Sequence, residues 1–263
     1  MHLKRLIVAA IALPIFYCYV MYLPRPFVLA LVCVMSFISQ AEFLAMYKVR
    51  EHQRYFFSLL GIIPICLTYK YNDIPTSLIV LMLTVVLVGR LFVRKHPENA
   101  LTDIAPYVVS FLYIPLMLSY FVKLASIGPE MIIFLCAVIW GADSFALYAG
   151  KAIGKRSLYK QMSPNKTIEG AVAAITGAVI CSLLLKAYFA LHMSFEKTSV
   201  VGIILGMVGI VGDLVESMFK RDADVKDSGS LLPGHGGILD KIDGMLFSAP
   251  ALYHMLILFT HYK

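Results

Sequence analysis

Apolar runs of about twenty residues alternate with short polar connections from one end of the chain to the other. Crossing about 30 Å of hydrocarbon at about 1.5 Å per residue takes a helix of roughly 20 apolar residues. Nine stretches qualify, at about 6–23, 27–47, 55–70, 76–93, 104–122, 130–149, 169–191, 199–219 and 243–261. The third is short and the first contains Pro14, so eight or ten spans also fit the pattern. The pattern predicts an all-α polytopic integral membrane protein, folded as a single membrane domain over 1–263. No soluble domain, repeat or low-complexity tract interrupts it.

Composition agrees. Of 263 residues, 60% are hydrophobic and 15% charged, with a mean hydropathy of +0.80; a soluble domain carries about 25% charge. With nine spans, the N-terminus and the connections near 48–54, 90–102, 150–168 and 220–242 share one side of the membrane and carry 17 Lys and Arg, against five on the other. The positive-inside rule makes the richer side cytoplasmic. Attraction to anionic headgroups explains much of the net charge of +7, and a binding site for polyphosphate is the sharper alternative. The N-terminal "MHLKRLIVAAIALPIFYCYV" lacks a small-residue cleavage pattern and reads as an uncleaved first span. Cys18, Cys33, Cys66, Cys136 and Cys181 sit singly within spans, without metal-ligand or disulfide spacing.

Polar residues are unevenly spread. Residues 1–130 read as scaffold, with Glu42 an exception, near the end of its span and able to snorkel toward Lys48 and Arg50. The catalytic half is expected over 140–245, with Asp143 in "WGADSFALYAGKAIGK" and long loops at 150–168 and 220–242.

Three clusters there carry candidate chemistry. On a helix, Gly202, Gly206, Gly209 and Asp213 share one face, which continues through Glu216, Ser217 and Lys220. Helix packing accounts for the glycines but not for the acids, which suit a hard cation such as magnesium. Next, "PGHGGILDKID" combines a glycine-rich loop, whose N–H groups can face an anion, with His235 and with Asp240 and Asp243 at a helix start. Acids in a first turn also serve simply as dipole partners. Third, "GKAIGKRSLYKQMSPNKTIEG" carries five Lys or Arg with Ser163, Lys166, Thr167 and Glu169. Its GKAIGK lacks P-loop spacing; Lys166 supplies a charge for phosphate, Thr167 a hydroxyl, and Glu169 a phosphate-loop neighbour or a cap on the seventh span. Acids for a metal, bases for phosphates and a glycine loop on one face meet the needs of phosphoryl or nucleotidyl transfer.

"SMFKRDADVKDSGSLLPGHGGILDKID", residues 217–243, closely resembles the signature of the phosphatidate cytidylyltransferases: Ser-x-x-Lys-Arg, Lys-Asp, His-Gly-Gly, then Asp-Arg-x-Asp. "GDLVES" and "SPNKTIEG" resemble further blocks of that family. The likeness covers 140–245 well and the N-terminal half by hydropathy alone. It implies a nine-span enzyme of the bacterial inner membrane, commonly a homodimer among membrane lipids, that makes CDP-diacylglycerol and pyrophosphate from CTP and phosphatidate; nucleic acid is not an expected partner. By motif position it implies that Asp213 and Asp240 bind magnesium, with potassium as a second cation, and that Asp227 and Asp243 lie beside them. It places Ser217, Lys220, Arg221, Lys226 and His235 near phosphates, and Ser163, Lys166 and Thr167 in the nucleotide-facing loop. Two positions depart from the family. Lys241 replaces the signature's Arg, exchanging a bidentate fork for a point charge, and the surroundings of Asp143 lack the family's Gly and Tyr.

The expected reaction is in-line attack of the lipid phosphate on the α-phosphorus of CTP. A CTP-dependent lipid kinase of the polyprenol type would use similar parts. An ion-coupled transporter is a further alternative, opposed by the one-sided clustering of polar residues and the lack of inverted-repeat resemblance.

Overall fold

The computed structural model describes residues 13–74, 76–189, 191, 193–231 and 236–261. Helix α1 is described over Leu13–Tyr22. It is followed by α2 (Arg25–Met46), α3 (Glu51–Leu60), α4 (Ile62–Tyr71), α5 (Thr76–Val93), α6 (Ala100–Tyr113), α7 (Pro115–Ile127) and α8 (Pro129–Ile153). A small antiparallel hairpin, β1 (Ser157–Tyr159) and β2 (Ser163–Thr167), precedes α9 (Ile168–Phe189), α10 (Phe195–Asp222) and α11 (Leu239–His261).

Among the described residues seven segments are long and apolar enough to cross a membrane, with α6 and α7 counting as one from Ala100 to Ile127. The other two expected spans are α1, described only from Leu13, and the short third stretch, which is the pair α3 and α4 interrupted at Gly61. Prolines mark several boundaries for a physical reason: with no N–H to give, Pro is tolerated in a helix's first turn. Pro115 opens α7 after the break at Ile114, and Pro129 opens α8. The αL residue Asn72 closes α4, and the Ser194 side chain accepts a bond from the Lys197 N–H to cap α10.

Exposed Val80, Leu81, Leu91 and Phe92 on α5 and Leu184 on α9 form the apolar exterior of a lipid-immersed bundle. Inside, α8 packs on α9, α9 on α10, and α10 on α11. The small-residue face of α10 serves as packing surface. Gly202 and Gly206 meet α9, and Gly212 lies so close to α11 that a Cβ there would stand 2.7 Å from the Asp243 carbonyl oxygen. At 28 residues, α10 shares the greatest helix length with the joined Ala100–Ile127 segment.

Both long loops are shorter than expected. Helix α10 runs to Asp222 and α11 starts at Leu239, so Asp240 already occupies a first helical turn. In the other loop, Ser157 pairs with Thr167 and Tyr159 with Ser163. The Glu169 carboxylate turns back to its own backbone N–H at the start of the helix, as expected, and its Oε2 also accepts bonds from the N–H groups of Lys155 (3.1 Å) and Arg156 (3.4 Å), holding the base of the hairpin. Thr167 adds a second cap, its hydroxyl accepting the Gly170 N–H at 3.1 Å.

Candidate active site

The acids of α10 lie on one face, three residues apart, and the close approach at Gly212 sets them against the start of α11. As a result Asp213, Glu216 and Asp243 bring carboxylate oxygens within 4.8 Å of one another. Glu216 is fully buried, and its Oε1 has no hydrogen-bond partner among the described residues. Its other oxygen forms an ion pair with Lys220, one turn along α10.

Asp240 lies outside this trio. Its Oδ1 accepts from Lys220 at 2.7 Å. Its Oδ2 accepts from the Gly237 N–H at 2.7 Å, the Ser228 N–H at 3.0 Å and the Ser228 hydroxyl at 2.8 Å. The oxygens of Asp240 are thus occupied by internal donors, whereas Asp243, one turn on, lies beside Asp213. Lys166 from β2 forms an ion pair with Asp213.

These contacts test the site for a cation. Four carboxylates meet two ammonium groups, Lys166 and Lys220, leaving two negative charges unbalanced when all are ionised. Buried charge without a partner is costly, and an all-oxygen donor set suits magnesium. Asp213, Glu216 and Asp243 thus fit a divalent cation by their chemistry.

A cavity of about 740 Å³ adjoins the cluster, lined by Asp143, Lys151, Ser163, Asn165, Lys166, Thr167 and Asp213, with small residues of α8 and α9 forming its wall. Asp143 lies within electrostatic reach of Asp213, Lys166 and Lys241. Asp143 thus lines the cavity, and Lys241 acts on it through its charge without lining the cavity.

The remaining expected residues divide. Ser217 is buried on the acidic face of α10. Arg221 works on its own chain: its Nη1 donates to the Val225 carbonyl (2.8 Å) and its Nε to that of Met162 (3.4 Å), tying the end of α10 to the hairpin. Lys226, Asp227 and Lys241 are exposed. His235 lies outside the described residues. The glycine loop does not present all its N–H groups to a ligand as expected, because Gly237 N–H is taken by Asp240 and those of Ile238 and Leu239 by Glu42. Glu42 does not snorkel toward Lys48 and Arg50; it points at α11. Its place beside Gln40 within a span was the one sequence signal of an internal partner.

Fold and site together define an all-α membrane bundle with an acidic, lysine-braced cavity at the end that carries its long loops. The chain belongs to the cytidylyltransferase family, whose model matches residues 3–259. The likeness therefore extends through the N-terminal half as well. The phosphatidate cytidylyltransferase of Bacillus subtilis (strain 168) is 41% identical over 152 residues, 57% of this chain and 56% of the relative. The protein of that name from Staphylococcus epidermidis (strain ATCC 12228 / FDA PCI 1200) is 41% identical over 155 residues, 59% of this chain and 60% of the relative. One from Staphylococcus saprophyticus is 35% identical over 204 residues, covering 76% and 78%. The matched region thus spans less than two thirds of the first two relatives.

Proposed function

We propose that this protein is a phosphatidate cytidylyltransferase, converting CTP and phosphatidate to CDP-diacylglycerol and pyrophosphate. The observation that carries this reading is the Asp213, Glu216 and Asp243 cluster, joined through Lys166 to a cavity lined by hydroxyls and bases. Relatives bearing that name support it. A phosphate oxygen of phosphatidate attacks the α-phosphorus of CTP, a P–O bond forms, and the bond to the bridging oxygen of pyrophosphate breaks. The attacking oxygen is already anionic near neutral pH, so no general base is required.

Lys166 is placed to exchange its pairing with Asp213 for a substrate phosphate, while Ser163, Asn165 and Thr167 offer hydrogen bonds in the cavity. Lys220 holds Glu216 and Asp240 in a fixed relation. Asp213, Glu216 and Asp243 are the residues that would hold magnesium, with potassium as a second cation, and a cation there would supply charge neutralisation for the departing pyrophosphate. The protein is assigned to a bacterial inner membrane, with its N-terminus and the 150–168 and 220–242 loops cytoplasmic, as the excess of Lys and Arg on that side supports. A homodimer is the proposed assembly.

CTP labelled separately at the α- and γ-phosphates, supplied with phosphatidate in detergent micelles, tests the activity. The α-label should move to lipid and the γ-label to pyrophosphate. Lipid carrying the γ-label would instead make the protein a kinase, and no transfer of either label would refute both readings.

A further inference from the structure

Glu42 and α11 are separated by nearly two hundred positions, yet the Glu42 carboxylate caps that helix. Its Oε1 accepts the Ile238 N–H at 3.1 Å and its Oε2 the Leu239 N–H at 2.9 Å. The first N–H groups of a helix have no partner within it and carry partial positive charge. A bidentate carboxylate from another helix answers both needs. The Ser228 hydroxyl stands 3.3 Å from Glu42 Oε2 and 2.8 Å from Asp240 Oδ2. With a single proton to give, it favours Asp240 and leaves Glu42 to the backbone.

We infer that Glu42 is a positioning residue for the active site: α2 fixes the axial position and rotation of α11, and with them the carboxylates of Asp240 and Asp243 relative to α10. The chain of contacts is continuous. Glu42 holds the first turn of α11, Asp240 in that turn binds Lys220, and Lys220 binds Glu216 within the acidic trio. Glycine at 237 belongs to the same device, since a Cβ there would collide with the Glu42 carboxylate and the Ser228 hydroxyl. The segment read from sequence as scaffold thus contributes one end of the polar chain that reaches the reacting groups.

The kinetic half of the test rests on the cytidylyltransferase reading; the structural half does not. Glu42→Gln keeps the side chain's shape but turns an amide NH₂ toward one of the two N–H donors. Hydrogen exchange measured by mass spectrometry on the detergent-solubilised protein should show the α11 first-turn amides, around 238–240, exchanging at least about tenfold faster, with α8 and α9 unchanged. In α-labelled CTP assays the magnesium concentration for half-maximal rate should rise by about tenfold to a hundredfold, as for a residue that orients ligands, while the KM for phosphatidate stays within about twofold. Gly237→Ala, which keeps the Glu42 side chain but pushes its carboxylate aside, should reproduce both changes and replaces the first variant if that does not accumulate. Wild-type exchange at 238–240 together with wild-type magnesium dependence in either variant overturns the assignment. A wild-type protein inactive toward CTP and phosphatidate refutes the proposed function alone, and the exchange measurement still decides the role of Glu42.

Discussion

Replacing Gly212 with alanine probes the contact that brings the acids together. An added Cβ would lie 2.7 Å from the Asp243 carbonyl oxygen and 3.1 Å from the Gly244 Cα. Both are backbone atoms, so no side-chain rotation relieves them. Ordinary van der Waals contact begins at 3.4 Å, so α10 and α11 must part by roughly 0.7 Å at this level. Overpacking of this kind costs about 1–3 kcal/mol, and alanine's better helix propensity returns about 1 kcal/mol. Net destabilisation of about 0–2 kcal/mol is a modest effect. The same displacement falls on Asp213 and Asp243, adjacent to the contact, where a misplacement of about 1 Å costs on the order of a hundredfold in rate. The variant should therefore melt within a few degrees of the wild type by detergent thermal-shift assay, yet lose about tenfold to a hundredfold in kcat with labelled CTP. Gly89→Ala is the control, since a Cβ at that position of α5 meets nothing within 4 Å; its rate should be unchanged. A Gly212→Ala protein with wild-type kcat would refute the claim that helix approach sets the acidic cluster.

Asp213→Asn and Asp243→Asn should each lower kcat by at least about a hundredfold while circular dichroism keeps its helical amplitude; near-normal turnover in either would remove that residue from the proposed cation site. Thr167→Val removes the acceptor for the Gly170 N–H and should cost about 1 kcal/mol in thermal unfolding, whereas Thr167→Ser should stay near the wild type. Lys241→Arg restores a planar fork at an exposed position whose charge reaches Asp143 and should lower the KM for CTP or phosphatidate, read from initial rates.

Hydropathy made the bundle legible because a bilayer imposes a minimum apolar length on every crossing helix, and the glycine face of α10 was legible because its spacing repeats on a helix. What local pattern could not reveal was which turn of α11 faces α10. Asp240 and Asp243 are three residues apart and chemically alike, and only the crossing at Gly212 and Gly244 assigns the trio to Asp243 and the Lys220 bridge to Asp240. The β1–β2 hairpin escaped notice because "SPNKT" shows neither the apolar alternation nor the β-branched richness of a strand. Its two strands are held in part by Glu169, from the helix beyond them. Glu42 was visible as an anomaly within a span, but its partners lie across the fold.

The length of α10 bears on where a lipid would react. Its 28 residues extend about 42 Å, beyond the roughly 30 Å of hydrocarbon in a bilayer. Measured upright from Phe195 at the far interface, about twenty residues use up the apolar thickness and bring the axis to Val215, between Asp213 and Glu216. The acidic cluster then sits at the boundary between acyl chains and headgroups, the depth at which a phospholipid's own phosphate rests. A lipid substrate could slide in sideways with its tails still in the bilayer, and only the water-soluble nucleotide would need to descend from outside.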